Sequence, residues 1–438
     1  MLKTPLESWI TRKMELGSGQ PSRQKIADYQ LDKLRGAIHW ARTQSPFYAR
    51  HLDGFSESQL TSLHDLRRLP FTDANHLRDN GQQFLCVPQG EIHRVVTLES
   101  SGTSGQPKRV YFTAEDQELT LDFFQVGMST MVRPQETVLI ALPGERPGSV
   151  GDLLVTALRR LRARPVLCGL VQDPAAIIDV ITREQVDCIV GIPVQILSLI
   201  RHRGEFADIP SRYLRRVLLC SDHVPDSIVR VIERAWDCEV FEHYGMTEMG
   251  LGGGVDCEAH SGYHLREADL YFEIVDVESG ESVPEGQFGE IVFTTLTRRG
   301  MPFLRYRTGD ISRFLPEACE CGTSLCRLDR IRARKTGRVS VGAHAEITMA
   351  TLDEALFGIP RLKEFTATFV PGKQATLRVT AFTSMRTDGL LGVVREVLDA
   401  VPLIHSAEQA GELKVEVKLG DGEITPGSRK RTIVEQVR

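Results

Sequence analysis

The chain has 438 residues, 41% of them hydrophobic and 25% charged, with a formal net charge of −5, so it exceeds one ordinary core and carries no basic excess of the kind that binds nucleic acid. No run of about 18 apolar residues is present and the first residues, MLKTPLESWITRKMELG, are broken by charges, which argues against a membrane span and a secretory signal. Nine cysteines, an odd number scattered along the chain, fit a reducing cytoplasmic setting better than a disulfide scaffold.

Helical periodicity over 25–44 places Tyr29, Leu34, Ile38 and Ala41 on one stripe. From about residue 137 strands and helices alternate. Strands are expected at 136–143, 164–170, 187–193, 215–221 and 239–245, with helices at 149–163, 173–185, 193–203 and 225–236. Short apolar strands between helices of about 10 to 15 residues imply parallel βαβ units covered on both faces. After 262 the pattern turns β-rich, with ADLYFEIVD and GQFGEIVFTTL joined by turn residues. The last hundred residues read helix, two strands, helix, strand. The expected architecture is α/β: a large region 1–338 of parallel βαβ units with a β subdomain at about 262–330, then a small mobile α+β domain at 339–438.

Three stretches carry chemistry. In SSGTSGQPK (100–108), Gly102 and Gly105 permit tight turns that expose backbone N–H groups, hydroxyls add donors and Lys108 adds a point charge. The loop is not a Walker loop: Pro107 occupies the second glycine position, and a strand rather than a helix follows. HYGMTE (243–248) sets an aromatic and a carboxylate at the C-terminal end of a strand, where open α/β sheets bind ligands. There Tyr244 is suited to stack on a base and Glu248 to hold Mg²⁺ beside a triphosphate. FLRYRTGD (303–310) places Asp310 after a Thr-Gly turn, suited to accept from two ribose hydroxyls.

In this order and at these separations, the three stretches resemble the signatures of the acyl-adenylate-forming superfamily of acyl-CoA synthetases: an SSGTTGxPK loop, YGxTE and YRTGD. The segments YQLDKLRGAIHWARTQSPFYARHL and DLRRLPFTDANHLRDN resemble the phenylacetate–CoA ligase branch, as do GYHLREADLYFEIVD and the total length. The resemblance implies two half-reactions. A carboxylate attacks the α-phosphate of ATP to give acyl-AMP and pyrophosphate, and a thiol, usually coenzyme A, then displaces AMP. It implies that Ser101, Gly102, Thr103, Ser104, Gly105 and Lys108 hold the phosphates, and that Tyr244, Gly245, Met246 and Thr247 frame the adenine and phosphate. Glu248 binds Mg²⁺, Asp310 takes the ribose, and Lys430 is the C-terminal lysine of the adenylation step. Thr103, Lys108, Glu248 and Lys430 are thus the expected catalytic groups. The hinge motif GRxDD survives as Gly337 and Arg338 without its acidic pair, leaving Arg338 as a ribose contact. A homodimer is a family expectation.

Relatives in this branch carry a C-x-C-G pair, and a cysteine with a following histidine earlier in the chain. The corresponding residues are Cys319 and Cys321, with Cys257 and His264, a set suited to a structural Zn²⁺; Cys326 or His260 could substitute. Cysteines 86, 168, 188, 220 and 238 read as core. The acid-binding stretch of relatives is aromatic and Gly-rich, whereas here LPGERPGSVGD brings Glu145 and Arg146, and the turn near the adenine reads CSDHVP. A carboxylic acid other than plain phenylacetate is therefore expected. Two further readings stay open: an adenylyltransferase that makes an adenylate without coenzyme A transfer or with another acceptor, and a nucleotide-binding partner protein without turnover.

Overall fold

The computed structural model describes residues 2–17, 19–98, 107–202, 213–331, 333–334, 337–342, 345–383, 389–420 and 431–436. In chain order its first strands are β1 (Arg94–Leu98), β2 (Lys108–Phe112), β3 (Thr137–Ala141), β4 (Arg164–Leu167), β5 (Cys188–Gly191), β6 (Arg216–Leu219) and β7 (Glu239–Tyr244). There follow β8 (Gly254–Val255), β9 (Tyr263–Leu265), β10 (Leu270–Val275), β11 (Gly289–Thr295), β12 (Tyr306–Ser312) and β13 (Arg327–Leu328). The chain divides into two compact units: Met1–Arg133, Arg146–Leu161 and His243–Ile331 make one, and Pro134–Glu145, Arg162–Glu242 and Arg332–Arg438 the other.

The second unit contains the expected parallel sheet, in the order β4-β3-β5-β6-β7. β3 and β5 are buried at every position, as strands covered on both faces must be. Their crossover helices start on sequence signals. Asp173 caps the helix Pro174–Arg183 by accepting from the amides of Ala175 and Ala176, and Pro193 opens a helix whose every residue is buried. Beyond residue 338 the unit has antiparallel strands Glu364–Val370 and Ala375–Phe382, with Leu413–Leu419 added in parallel. The helices Leu390–Asp399 and Pro402–Gln409 connect the last two of these strands. Where the sequence pattern reads one helix between these strands there are two, the second beginning where Pro402 takes the first helical turn.

In the first unit, β10, β11 and β12 form antiparallel pairs, matching the β-rich texture after 262. Beneath them lies an aromatic core: Phe47 stacks on Phe84 at 4.0 Å, and Phe303 meets the ring of Tyr306 edge-on at 5.1 Å. The helix Ala114–Met128, which the periodicity does not announce, is fixed by a capping box in which the Thr113 hydroxyl accepts from the Asp116 amide and the Asp116 carboxylate accepts from the Thr113 amide. The last two residues of β7 pair with β8, β8 with β9, and β9 with β13.

Gly262, at the start of β9, has φ +93°, and a Cβ on it would lie 2.4 Å from the Leu328 carbonyl oxygen. Gly262→Ala should lower the urea midpoint by a loss of about 2 kcal/mol, combining left-handed strain with a backbone clash. Gly36→Ala, on an open helical face with nothing within 4 Å, should raise stability by about 0.5–1 kcal/mol. Equal effects of the two substitutions would refute the assignment.

Candidate active site and cysteine knuckle

Lys108 is the first residue of β2, so its ammonium is held by a strand rather than by a free loop. The preceding residues Ser101, Gly102, Thr103, Ser104 and Gly105 lie outside the described residues, as does Lys430. Tyr244 ends β7 and the chain turns at once: Gly245 is packed so closely that a Cβ would sit 2.5 Å from the Leu251 carbonyl. The Met246 carbonyl then accepts from the amides of Met249 and Leu251, closing a single turn over Thr247–Met249 that ends on Gly250 at φ +74°. This turn aims Glu248 inward, where it is 1% exposed.

An ionised carboxylate buried that deeply persists only if paired. Glu248 forms an ion pair with the Lys108 ammonium, and its Oε1 also accepts from the Tyr306 hydroxyl at 3.2 Å. Burial, and next the neighbouring carboxylate, push the Tyr306 phenol well above its ordinary range, so it stays a neutral donor. Tyr306 opens the YRTGD stretch, and nothing in the local sequence signals its contact with Glu248.

Asp310 lies within a strand, not after a turn. The register of β12 on β11 shifts between Glu290 and Val292. The Glu290 carboxylate produces the shift: it accepts from the Gly309 amide at 3.0 Å and from Arg307 Nε at 2.8 Å. Thr308 donates its hydroxyl to the Ile291 carbonyl and accepts from the Asp310 amide at 3.0 Å. Gly309 adopts φ +77° in this bulge, which re-aims the following side chain. Asp310 Oδ2 then accepts the Tyr244 hydroxyl at 3.1 Å, and the Tyr244 ring stacks on Tyr263 with centroids 6.0 Å apart. Lys108, Tyr244, Glu248 and Asp310 are thus brought together by two hydroxyl links and one ion pair within one unit. Arg338 belongs to the other unit, where it follows Gly337 at φ +81° and pairs with Glu346 at 2.7 Å.

Cys257, His264, Cys319 and Cys321 converge, with their ligand atoms all within 4.8 Å of one another and every residue buried. Sγ of Cys257 and Sγ of Cys319 are 3.6 Å apart, and Sγ of Cys321 lies 3.5 Å from His264 Nε2. The thiols are free of disulfides. Burial raises Cys257 and Cys319, whereas at Cys321 it is outweighed by the His264 contact and by backbone amides, which bring that thiol down to about 6. Cys326 and His260 stand outside this group. Cysteines 86, 188, 220 and 238 are buried and Cys168 is half-buried.

Against known proteins, the family model described as AMP-binding enzyme matches residues 82–297. The phenylacetate-coenzyme A ligase of Thermus thermophilus is 29% identical over 360 residues, covering 78% of this chain and 77% of that one. The Pseudomonas putida enzyme of the same name is 29% identical over 363 residues, covering 80% and 79%. A solved 2-hydroxyisobutyryl-CoA ligase in complex with 2-HIB-AMP shares the fold, with a TM-score of 0.80 at 21% identity over 95% of this chain and 90% of that one. No helix among the described residues is long and apolar enough to cross a membrane.

His243, one residue before Tyr244 and on the opposite face of β7, is packed between Phe123 and Phe124 with ring centroids 6.3 and 6.5 Å away. Its Nε2 is buried without a partner among the described residues, and burial lowers its pKa to about 4. A histidine neutral in the fold but protonated when unfolded below its ordinary value withdraws stability as pH falls from 6.5 to 4. The protein should lose about 3 kcal/mol over that window through this residue, and His243→Leu should flatten that part of the pH dependence of urea unfolding. An unchanged slope would count against a neutral buried imidazole. The three motifs and the matched relatives support the phenylacetate–CoA ligase-like branch of the AMP-binding, acyl-adenylate-forming superfamily for this chain, whose fold is that of the solved CoA ligase.

Proposed function

We propose that the chain is an AMP-forming carboxylic acid–CoA ligase whose acid is other than plain phenylacetate. The observation that carries the nucleotide part is the buried Glu248 carboxylate, held between Lys108 and Tyr306 beside the Tyr244–Asp310 pair. In the first half-reaction a carboxylate oxygen attacks the α-phosphorus of ATP and the bond to pyrophosphate breaks. In the second, a coenzyme A sulfur attacks the acyl carbon and AMP leaves. No protein nucleophile is needed; the residues position groups and compensate charge.

In this reading residues 101–105 and Lys108 cradle the phosphates, with Thr103 and Ser104 as hydroxyl donors. Glu248 would hold Mg²⁺, whose charge would offset that developing on the phosphates, while Lys108 would turn to a phosphate oxygen. Asp310 takes the ribose hydroxyls while Tyr244, Gly245, Met246 and Thr247 frame the adenine. Arg338 adds a ribose contact, Lys430 serves the adenylation step, and residues 339–438 act as the mobile small domain. Glu145 and Arg146, in place of an aromatic stretch, favour a polar acid. The protein works in the cytoplasm, as a homodimer. The missing acidic pair after Arg338 favours the second reading, an adenylyltransferase with another acceptor or none.

Cys257, His264, Cys319 and Cys321 would hold a structural Zn²⁺. A tetrahedral ion with ordinary zinc bond lengths sets S···S edges of about 3.8 Å and S···N edges of about 3.6 Å; the 3.6 and 3.5 Å separations fit both. All four positions of such an ion would be taken by protein ligands, so the site would be closed and would supply no chemistry.

Carboxylate-dependent ATP–pyrophosphate exchange over a panel of acids, followed by AMP release with and without coenzyme A, tests the function. Exchange with CoA-stimulated AMP release is expected, and Glu248→Gln should reduce exchange by on the order of 100-fold. Exchange without CoA stimulation would favour the adenylyltransferase, and phenylacetate as the best acid would overturn the substrate assignment. Metal analysis should find about one zinc per chain, lost in the double variant Cys319→Ser, Cys321→Ser.

A further inference from the structure

Arg298 follows the end of β11 in the sequence TLTRRG (295–300) and is 7% exposed. Its guanidinium is sandwiched between aromatic faces, 4.3 Å from the Phe112 ring and 5.2 Å from that of Phe303. No carboxylate is hydrogen-bonded to it among the described residues. Instead Nη1 donates to the Glu248 carbonyl at 2.8 Å and Nη2 to the Tyr111 carbonyl at 2.9 Å, while Nε has no partner. Burial lowers its pKa to about 10. A cation desolvated this far costs the fold stability, and a neutral side chain of similar shape would be less costly if packing were its only role.

The two carbonyls it joins belong to the segments already linked through side chains. Lys108 and Tyr111 share β2, and Glu248 is the residue whose carboxylate Lys108 meets. The Lys108–Glu248 ion pair links these segments on one side, and the Tyr111–Arg298–Glu248 bridge links their main chains on the other. A side-chain pair alone leaves the Glu248 backbone free to turn, whereas a second link at its own carbonyl fixes where the carboxylate starts from. The loop that delivers Arg298 is itself fastened: both Asp116 carboxylate oxygens accept backbone amides, from Arg299 and Gly300, each at 3.0 Å. The Gly300 carbonyl in turn accepts from the Cys86 amide at 3.0 Å.

We infer that Arg298 is a positioning residue for metal–nucleotide binding: its planar fork sets the Glu248 main chain against β2, so that the carboxylate stays in place when Lys108 leaves it for a phosphate. The inference rests on the reading of Glu248 as the Mg²⁺ ligand. It predicts that removing the fork harms the Mg²⁺-dependent part of nucleotide affinity more than the metal-independent part. Lysine in its place keeps a cation but cannot span both carbonyls.

The test titrates a fluorescent N-methylanthraniloyl ATP, with and without Mg²⁺, into the full-length protein and its Glu248→Gln, Arg298→Met and Arg298→Lys variants, with thermal unfolding run in parallel. In the parent protein and in Glu248→Gln, loss of the Mg²⁺-dependent tightening on removing the carboxylate establishes the ligand reading; equal Mg²⁺ dependence in those two defeats that reading, and this inference with it. Given that loss, Arg298→Met should lose about tenfold of the Mg²⁺-dependent tightening and change metal-free affinity by less than about twofold. The double variant with Glu248→Gln should lose no more than Glu248→Gln alone. Arg298→Lys should fall between and supplies the answer if the methionine variant does not fold. A folded Arg298→Met or Arg298→Lys with parental Mg²⁺ dependence, whatever its melting temperature, would overturn the inference.

Discussion

The buried Glu248 carboxylate organises the first unit. A charge that is 1% exposed has given up its water, and the exchange is tolerable only where cationic and hydroxyl partners replace it. Those partners come from distant stretches, Lys108 lying 140 residues before it and Tyr306 58 residues after. Each partner is carried by a strand, and Glu248 itself by a tight turn closed on the Met246 carbonyl. A contact between mobile side chains would have little directional value. One made between a strand end, a capped turn and a bulged strand fixes three segments at once.

A second organising centre lies at the cysteine knuckle, and the N-terminal residues are fastened around it. Glu7 accepts the Thr323 hydroxyl at 2.6 Å and the Ser324 amide at 3.3 Å, just beyond Cys321. Arg23 donates to both oxygens of Glu267, at 2.7 and 2.9 Å, and Glu267 also accepts the Cys326 amide. These acidic residues bring the first two helices onto the segments that carry the thiols. Gly262 lets the turn between Cys257 and His264 close against Leu328, so the four ligand atoms meet through backbone geometry as much as through their own chemistry.

The parallel βαβ order was legible in the sequence because its central strands are short apolar runs and helices between them open on a cap or a proline, as at Asp173 and Pro193. The same signal was available at Thr113, three residues before Asp116, but the helix Ala114–Met128 carries buried polar groups such as Asp116, Gln117 and Thr120 that blur its apolar stripe. Lys108, Glu248 and Asp310 stand out because their motifs are compact. What could not be read is what holds them. Glu290 shapes the Asp310 bulge from a neighbouring strand, Tyr306 faces Glu248, and Arg298 looks like one more basic residue beside Arg299. Such roles depend on which carbonyl or carboxylate a fold brings within 3 Å, and local sequence carries no record of that.

The resting arrangement also has a consequence for how a polyanion enters. Unpaired, Glu248 would repel phosphate oxygens, and Lys108 alone would not relieve the desolvation of that carboxylate. Paired, the Lys108 and Glu248 charges offset each other, and Asp310 accepts the Tyr244 hydroxyl. In the proposed reaction Lys108 would exchange a carboxylate for a phosphate oxygen, and Glu248 would exchange an ammonium for the metal. The Lys108 and Glu248 charges would each keep an opposite neighbour before and after that exchange, so the free energy of binding would go into the geometry of the phosphates and not into uncovering either charge. That exchange requires Glu248 to stay where it is after Lys108 departs. The neutral hydroxyl of Tyr306, which donates to the carboxylate in the resting arrangement, is placed to hold it there because a neutral donor suits either cation.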